Sequence, residues 1–253
     1  MIQLQAIQRF PIKGLSPERL DAVQLTAGGG VPGDRRYALA HGETQFDPAA
    51  PVHLSKTYFL TLMTHRRLAE LQVTLDEREQ LRVTHQTAPA LDADLTSEDG
   101  RRHAEAWFDA FIGAESKGKP RLVTAPTAVF TDIPERCVSV QNLASIEDAG
   151  SRVGAALDPL RFRANLHLAG LEPWQENNWP SGHELQIGTT RLRVMRPIVR
   201  CAAINVNPAD AQVDLNLPKS LRQLYGANVM GFYAAVLEDG ALRCGDRVEM
   251  VQP

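Results

Sequence analysis

The sequence predicts a mostly β protein of the α+β class, with barrel-like sheets and a few accessory helices. Short segments of alternating apolar and polar residues recur along the chain, while helical periodicity is confined to a few stretches and turn residues separate the segments. Many short strands with few helices are typical of barrels, whereas a doubly wound sheet needs strands that alternate with helices. A length of 253 residues allows one large domain or two small ones.

The first hundred residues are expected to be predominantly β. Residues 2–10 alternate between apolar and polar side chains and stop before Pro11, as a half-buried strand does. A second strand is expected over residues 36–40. Segments 71–75 and 81–85 flank a polar stretch, and this layout predicts a β-hairpin.

A helix is predicted over residues 101–112, because its apolar residues share one face and Gly113 follows as a stop. The next stretch, 113–120, is rich in Gly, Lys and Ser and is typical of a connection. We therefore expect two domains, of residues 1–118 and 119–253.

The second half is predicted to consist of further short strands and two short helices. A strand over 137–140 leads to Asn142, which can cap a helix, and Pro218 begins a second helix that ends at Gly226. Residues 239–240, Asp-Gly between two apolar segments, predict a two-residue hairpin turn. The other expected strands are 166–169, 185–187, 192–195, 199–206, 233–237 and 248–251.

Charge and composition exclude several function classes. Lys and Arg total 27 against 30 for Asp and Glu, a net charge of -3, so no basic excess favours nucleic acid or anionic lipid. No apolar run approaches the roughly 20 residues that cross a bilayer, and we expect no membrane partner. Three cysteines, Cys137, Cys201 and Cys244, are too few for a disulfide framework, and the start of the chain does not look like a signal peptide. The expected location is the cytoplasm.

Common sequence motifs give no strong indication of an activity. Residues 28–33 match G-x-G-x-x-G, but Pro32 and a strand-like segment follow where a dinucleotide site needs a helix, so a glycine turn between strands is the better interpretation. The chain has no H-E-x-x-H, C-x-x-C, G-x-S-x-G or P-loop lysine motif.

Arginine is concentrated in two stretches of the second half. The two stretches contain Arg161, Arg163, Arg191, Arg193, Arg196 and Arg200. Guanidinium groups bind phosphate through paired hydrogen bonds, and positive charge favours the thiolate form of a neighbouring cysteine, so an anion site with Cys201 is one interpretation. The other is that Arg191 and Arg193 form the solvent face of a strand, with Leu192 and Val194 pointing inward and Cys201 packing in a core.

Several short motifs, in order, carry a resemblance to a known family over nearly the whole chain. They are Phe10-Pro11-Ile12-Lys13-Gly14, Gly33-Asp34-Arg35-Arg36-Tyr37, Arg161-Phe162-Arg163-Ala164-Asn165-Leu166, Glu176-Asn177-Asn178-Trp179, Arg200-Cys201, Asn207-Pro208, Gly231-Phe232-Tyr233-Ala234 and the stretch 240–248. With these the chain resembles the MOSC family, the molybdenum-cofactor sulfurase C-terminal domain, preceded by its usual N-terminal β-barrel domain.

The resemblance implies a function and a set of site residues. Two-domain members of the family hold a molybdenum–molybdopterin cofactor and reduce N-hydroxylated compounds, and the cysteine of the Arg-Cys motif ligates molybdenum. Here that catalytic residue and metal ligand would be Cys201, a soft thiolate suited to a high-valent oxo-metal centre. The implied cofactor-binding residues are Lys13, Arg35, Arg163, Asn165, Arg200 and Cys201.

Three positions depart from the family pattern. Gly14 stands where the family often has Ser after the lysine, which removes one hydroxyl donor from the expected phosphate site. Asn207 replaces the usual Asp before a proline, which puts an acidic role there in doubt. Met230 replaces Phe beside Gly231, a change expected to affect packing more than chemistry.

The expected partners are a small N-hydroxylated substrate and a separate electron-donor protein: a ferredoxin, a flavoprotein or a haem protein. Common iron–sulfur clusters need four cysteines and this chain has three, of which Cys137 and Cys244 lie in apolar, strand-like settings. Two alternatives stay open. One is a non-catalytic carrier of the molybdenum cofactor, and the other a sulfur carrier with a persulfide on Cys201, although the chain has no recognisable pyridoxal-phosphate domain.

Overall fold

The computed structural model describes residues 1–115, 117–125 and 130–251, and these form a mostly β fold with three α-helices. The strands are β1 (Gln3–Arg9), β2 (Glu18–Leu20), β3 (Ala22–Leu25), β4 (Tyr37–Ala40), β5 (Gln72–Leu75), β6 (Gln80–Thr84), β7 (Leu91–Asp94), β8 (Arg121–Thr124), β9 (Val138–Asn142), β10 (Leu166–Ala169), β11 (Glu184–Ile187), β12 (Thr190–Val199), β13 (Val229–Val236), β14 (Gly240–Arg243) and β15 (Val248–Val251). The helices are α1 (Glu98–Ile112), α2 (Leu143–Val153) and α3 (Leu217–Tyr225). The predicted fold class is confirmed.

The largest sheet has eight strands in the order β15-β11-β12-β13-β9-β10-β1-β2. It curls, so that its two ends approach each other: Gln3 forms a β-bridge with Arg247, and the amide of Leu4 donates to the carbonyl of Asp246 at 2.9 Å. Alternate residues of its strands fill one apolar core inside the curl, including Leu192 and Val194. Strands from both ends of the sequence share this sheet, and the boundary at 118/119 stays a prediction.

The first half also builds a second core. Strands β5, β6 and β7 form an antiparallel sheet, with the predicted hairpin pairing Gln72 with Thr84, and α1 packs against it. Ser97 caps α1 by accepting from the amide of Gly100, so the helix begins three residues before the predicted start at Arg101. Strands β4 and β8 pair beside this unit.

Helices α2 and α3 pack together on the outside of the eight-stranded sheet. Asn142 caps α2 as predicted, with its side-chain oxygen accepting from the amide of Ala144 at 3.0 Å. Leu217 begins α3 one residue before Pro218, and Gly226 ends it in the left-handed region.

Two sequence predictions about strands are wrong. The strand expected over 199–206 does not form, because β12 ends at Val199 and residues Ala202–Asn205 make a 3-10 turn that buries Ile204 against α2 and α3. Such short apolar runs fit a strand and a buried turn equally well.

The hairpin expected at residues 239–240 also does not form. Strand β14 leaves β13 and pairs with β3 instead, with Gly240 opposite Leu25. The carboxylate of Asp239 accepts from the amide of Ala27 at 2.7 Å and so stabilises this long-range pairing. Tertiary pairing therefore overrides the local turn preference.

Candidate functional site

A cleft of about 410 Å³ lies between the eight-stranded sheet and the loops of the first half of the chain. Strand β13 and the ends of β9 and β12 form one side, and the segments around residues 13, 35 and 61 form the other. All the sequence-predicted site residues line this cleft: Lys13, Arg35, Arg163, Asn165, Arg200 and Cys201.

Backbone pairing brings Lys13 and Arg35 together. The amide of Lys13 donates to the carbonyl of Tyr37 at 2.8 Å, and the amide of Arg35 donates to the carbonyl of Phe10 at 2.6 Å. Asp34 reinforces this turn, because its carboxylate accepts from the amide of Phe10 at 2.7 Å. The two cations are thus fixed on adjacent segments although 22 positions separate them in the sequence.

Lys13 is nearly buried, and its ammonium has two protein acceptors. Its Nζ donates to the carbonyl of Phe130 at 2.9 Å and to the carboxylate of Asp132 at 2.6 Å. Burial lowers the pKa of Lys13, and the nearby charges of Arg35 and Arg163 act in the same direction while Asp132 opposes them. The ammonium of Lys13 in turn outweighs burial at Asp132 and lowers the pKa of that carboxyl to about 2.

Arg35 and Arg163 both stack on the ring of Phe10, with their guanidinium carbons 4.7 and 4.4 Å from its centre. Arg35 Nη2 donates to the carbonyl of Arg163 at 2.8 Å, and Arg35 Nη1 is paired with Asp34. Burial disfavours the charge of Arg35, but Asp34 outweighs that effect and raises its pKa. Both arginines have positive φ, 48° and 53°, a strained backbone that often marks a functional site.

Arg163 and Arg200 each use only part of the guanidinium group in hydrogen bonds with the described residues. Arg163 Nη1 donates to the backbone carbonyl of Leu15 at 2.8 Å. Arg200 Nε donates to the carbonyl of Met230 at 2.8 Å, and its Nη1 donates to the carbonyl of Phe162 at 2.7 Å. The Nη2 atoms of both are buried and have no hydrogen-bond partner among the described residues. Burial, with the charge of Arg35 added, lowers the pKa of Arg163 to about 9, and burial lowers that of Arg200 to about 10. These unused donors belong to two residues that line a cationic cleft.

A glycine in β13 permits the close approach of Arg200. Gly231 has φ of 72°, and a Cβ built on it would lie 2.4 Å from the carbonyl oxygen of Val140 and 3.2 Å from Arg200 Nη2. Any side chain here would collide with the backbone of β9 and with this guanidinium.

Asn165 links two strands, β1 and β9, in the wall of the cleft. Its Oδ1 accepts from the amide and hydroxyl of Ser139 at 3.1 and 2.7 Å, and its Nδ2 donates to the carbonyl of Gln8 at 3.1 Å. Because its amide group already links β1 and β9, the structure favours a positioning role for Asn165 over direct contact with a bound molecule.

Cys201 directly precedes the 3-10 turn Ala202–Asn205 and its partly exposed thiol is free. Among the described residues, no group of three His, Cys, Asp or Glu side chains converges as a metal site. Cys201 could therefore supply one ligand to a metal whose other ligands belong to a bound cofactor. The other two cysteines differ: burial raises the pKa of Cys137 to about 12, and Cys244 donates to the carbonyl of Leu20 at 3.4 Å.

Two cleft residues were missed by the sequence reasoning. Asp132 lies in a segment for which no motif was recognised, and only its contact with Lys13 reveals it. Tyr233 belongs to a recognised motif but received no role, although its side chain lines the cleft. Burial, with the charge of Asp132 added, raises the pKa of Tyr233, so its hydroxyl keeps its proton at neutral pH.

Glu176 and Asn207, which belong to other recognised motifs, support the fold and are not among the residues that line the cleft. Glu176 is buried and accepts from Asn142 and Ser145 at 2.7 and 2.8 Å. Asn207 donates to Asp214, which also forms a paired contact with Arg161, and this network anchors the segment after the 3-10 turn. Arg191 and Arg193 are solvent-facing residues of β12, as the simpler interpretation of the arginine stretch predicted.

Family models match both halves of the chain. A model for the MOSC domain matches residues 118–249, and a model for the MOSC N-terminal beta barrel domain matches residues 1–125. The chain therefore belongs to the MOSC family. No helix among the described residues is long and apolar enough to span a membrane.

Curated relatives include mitochondrial amidoxime-reducing components. The component 1 of Mus musculus is 26% identical over 184 residues, which cover 62% of this chain and 53% of that protein. The component 1 of Homo sapiens is 28% identical over 120 residues, which cover 43% of this chain and 35% of that protein. The chain thus spans about half the length, or less, of the curated relatives it matches.

Solved structures that align with the chain include YiiM from Geobacillus stearothermophilus and the YUAD protein from Bacillus subtilis. The first is 24% identical at a TM-score of 0.37, covering 46% of this chain and 54% of that one. The second is 12% identical at a TM-score of 0.48, covering 99% of this chain and 96% of that one.

Proposed function

We propose that this protein is a reductase of N-hydroxylated small molecules that depends on a molybdenum–molybdopterin cofactor bound in the cleft. The observation that carries the proposal is that a free thiol, Cys201, lines the same cavity as seven Lys and Arg residues of the described part of the chain, four of which are sequence-predicted site residues. We call Lys13, Arg35, Arg163 and Arg200 the cation cluster. The names of the amidoxime-reducing relatives support the proposed reaction.

The donors of the cleft fit this cofactor. The unpartnered Nη2 atoms of Arg163 and Arg200 are the donors that a phosphate group would accept from, and guanidinium groups suit phosphate geometry. Cys201 offers a soft thiolate, the ligand type that favours a thiophilic metal. A cavity of about 410 Å³ falls within the usual range of cofactor and ligand sites.

In the proposed mechanism the chain binds and orients, while the difficult redox chemistry is the cofactor's. When bound, the cofactor supplies the two electrons that cleave the N–O bond of the substrate. The cation cluster would hold the phosphate, and Cys201 would anchor the metal end. Tyr233 keeps a proton on its hydroxyl oxygen beside the cleft.

The overall reaction consumes two electrons and two protons and releases water, with the N-hydroxylated group becoming the amine or amidine. The chain has three cysteines, fewer than the four that common iron–sulfur clusters need, and we propose a separate protein as the electron donor.

The test uses protein purified from a molybdenum-replete host that synthesises the cofactor. With an artificial low-potential donor and an amidoxime, we expect conversion to the amidine, which chromatography quantifies. Fully loaded and reducible protein that converts none of several such compounds would contradict the reductase and favour the carrier function.

A further inference from the structure

Asp132 brings a negative charge to the cation cluster through a side chain that solvent can reach. Its side chain is 46% exposed, whereas that of Lys13 is 7% exposed, and 2.6 Å separate the carboxylate from Lys13 Nζ. The buried cation thus meets a carboxylate that solvent can reach. Such a carboxylate can leave the ion pair without being stranded in an apolar environment.

The influence of Asp132 extends beyond Lys13. Burial lowers the pKa of both Arg163 and Arg200, and the negative charge of Asp132 acts in the opposite direction on each. It acts in that direction on Arg35 as well. Asp132 therefore partly neutralises every member of the cation cluster.

We propose that Asp132 is the internal counter-anion of the cation cluster, and that a phosphate bound in the cleft takes its place on Lys13. This inference rests on the proposed function, in which the cluster is the phosphate site. Asp132 then sets how tightly the cleft holds an anion.

The donor count of Lys13 supports an exchange of anions. An ammonium has three N–H donors, and Phe130 and Asp132 take two of them. A phosphate that approaches with Asp132 in place gains one donor and meets a repelling carboxylate. If Asp132 turns to solvent, the phosphate gains a second donor and the repulsion falls.

A purely structural ion pair makes the opposite prediction. If Asp132 serves only to hold Lys13 in place, its removal leaves a buried, misplaced ammonium and weakens anion binding. The direction of the change in affinity therefore separates the two roles.

The experiment measures the binding of inorganic phosphate to the full chain, produced in a host that does not make the cofactor, by titration calorimetry at low salt. We expect Asp132→Asn to bind phosphate about tenfold more tightly than the wild type, because a nearby like charge is removed. Phosphate should also raise the melting temperature of Asp132→Asn more than that of the wild type.

The matched control is Glu184→Gln. Glu184 pairs with the exposed Arg193 at 3.0 Å, and neither residue is among those that line the cleft. Its substitution should leave phosphate affinity unchanged. Asp132→Ser serves as a second variant and should also tighten binding.

Equal or weaker phosphate binding by Asp132→Asn would overturn the inference. Failure of both Asp132 variants to fold would overturn it as well, because a half-exposed competing anion is not needed for folding. If Lys13→Ala and Arg163→Ala bind phosphate like the wild type, the phosphate site of the proposed function fails instead, whatever Asp132 does.

Discussion

Arg35 donates a hydrogen bond from Nη2 to the backbone carbonyl of Arg163 at 2.8 Å, across 128 positions of sequence. The bond ties the loop before β4 to the loop before β10 and keeps two cations side by side. Their mutual repulsion is offset by the shared contact with Phe10 and by Asp34. A pair of like charges held this firmly is preorganised for an anion.

Cys201→Ser tests the metal ligand. We expect the variant to lose molybdenum and amidoxime reduction, because a hydroxyl is a poorer soft ligand than a thiolate. Molybdenum content by mass spectrometry and turnover with an artificial donor measure both effects. Cys244→Ser is the control, since that thiol donates to the carbonyl of Leu20, packs against the core of the eight-stranded sheet and is not among the residues that line the cleft. Unchanged turnover in Cys201→Ser would remove this residue from the mechanism.

Alanine substitutions of Lys13, Arg35 and Arg163 test the anchoring role. Each should weaken cofactor retention by about 1.5–3 kcal/mol, the usual contribution of one charge-assisted hydrogen bond. Pterin released after denaturation, measured by fluorescence, gives the occupancy, and a thermal melt confirms folding. Arg193→Ala removes an equal charge from the solvent face of β12 and should retain full occupancy. Equal occupancy in all variants would rule out this phosphate site.

The parts of the fold that could be predicted from the sequence are those with a local pattern. Alternation of apolar and polar residues identified β1 and the hairpin of β5 and β6, and a capping residue identified α2. Strands β2 and β3 have only three and four residues, and β3 pairs with the distant β14, so no local periodicity marks them.

The residues of the candidate site also differ in this way: some belong to a local sequence motif, and others depend on contacts between distant residues. Lys13, Arg35 and Cys201 were found through short motifs, whereas Asp132 was not, because its importance comes from a contact between residues 119 positions apart. The unused donors of Arg163 and Arg200 also depend on tertiary neighbours that accept from the other guanidinium nitrogens.

Gly14→Ser tests why this chain lacks the hydroxyl that its family often carries at this position. Gly14 has φ of 86°, and a Cβ here would lie 2.8 Å from the carbonyl oxygen of Leu60. We expect the substitution to lower the free energy of unfolding by about 1–3 kcal/mol, because an L side chain is strained there. Urea denaturation measures the effect, and Gly182→Ser, also at positive φ but with open space around it, isolates the contribution of the collision. Equal losses in the two variants would refute a steric cause.

His167 should make stability depend on pH. It is 4% exposed, and burial lowers its pKa to about 4 from an ordinary 6.5. Between these values the unfolded chain binds a proton that the folded chain does not, so stability rises with pH through this window and is lost as pH falls toward 4. The difference between these two pKa values corresponds to about 3 kcal/mol in the free energy of unfolding.

The measurement compares urea midpoints of the wild type and of His167→Gln from pH 4 to 7. We expect the midpoint of the wild type to change more steeply with pH. His53→Gln, at an exposed position, should keep the wild-type slope. Equal slopes in the wild type and His167→Gln would show that His167 is not the group responsible.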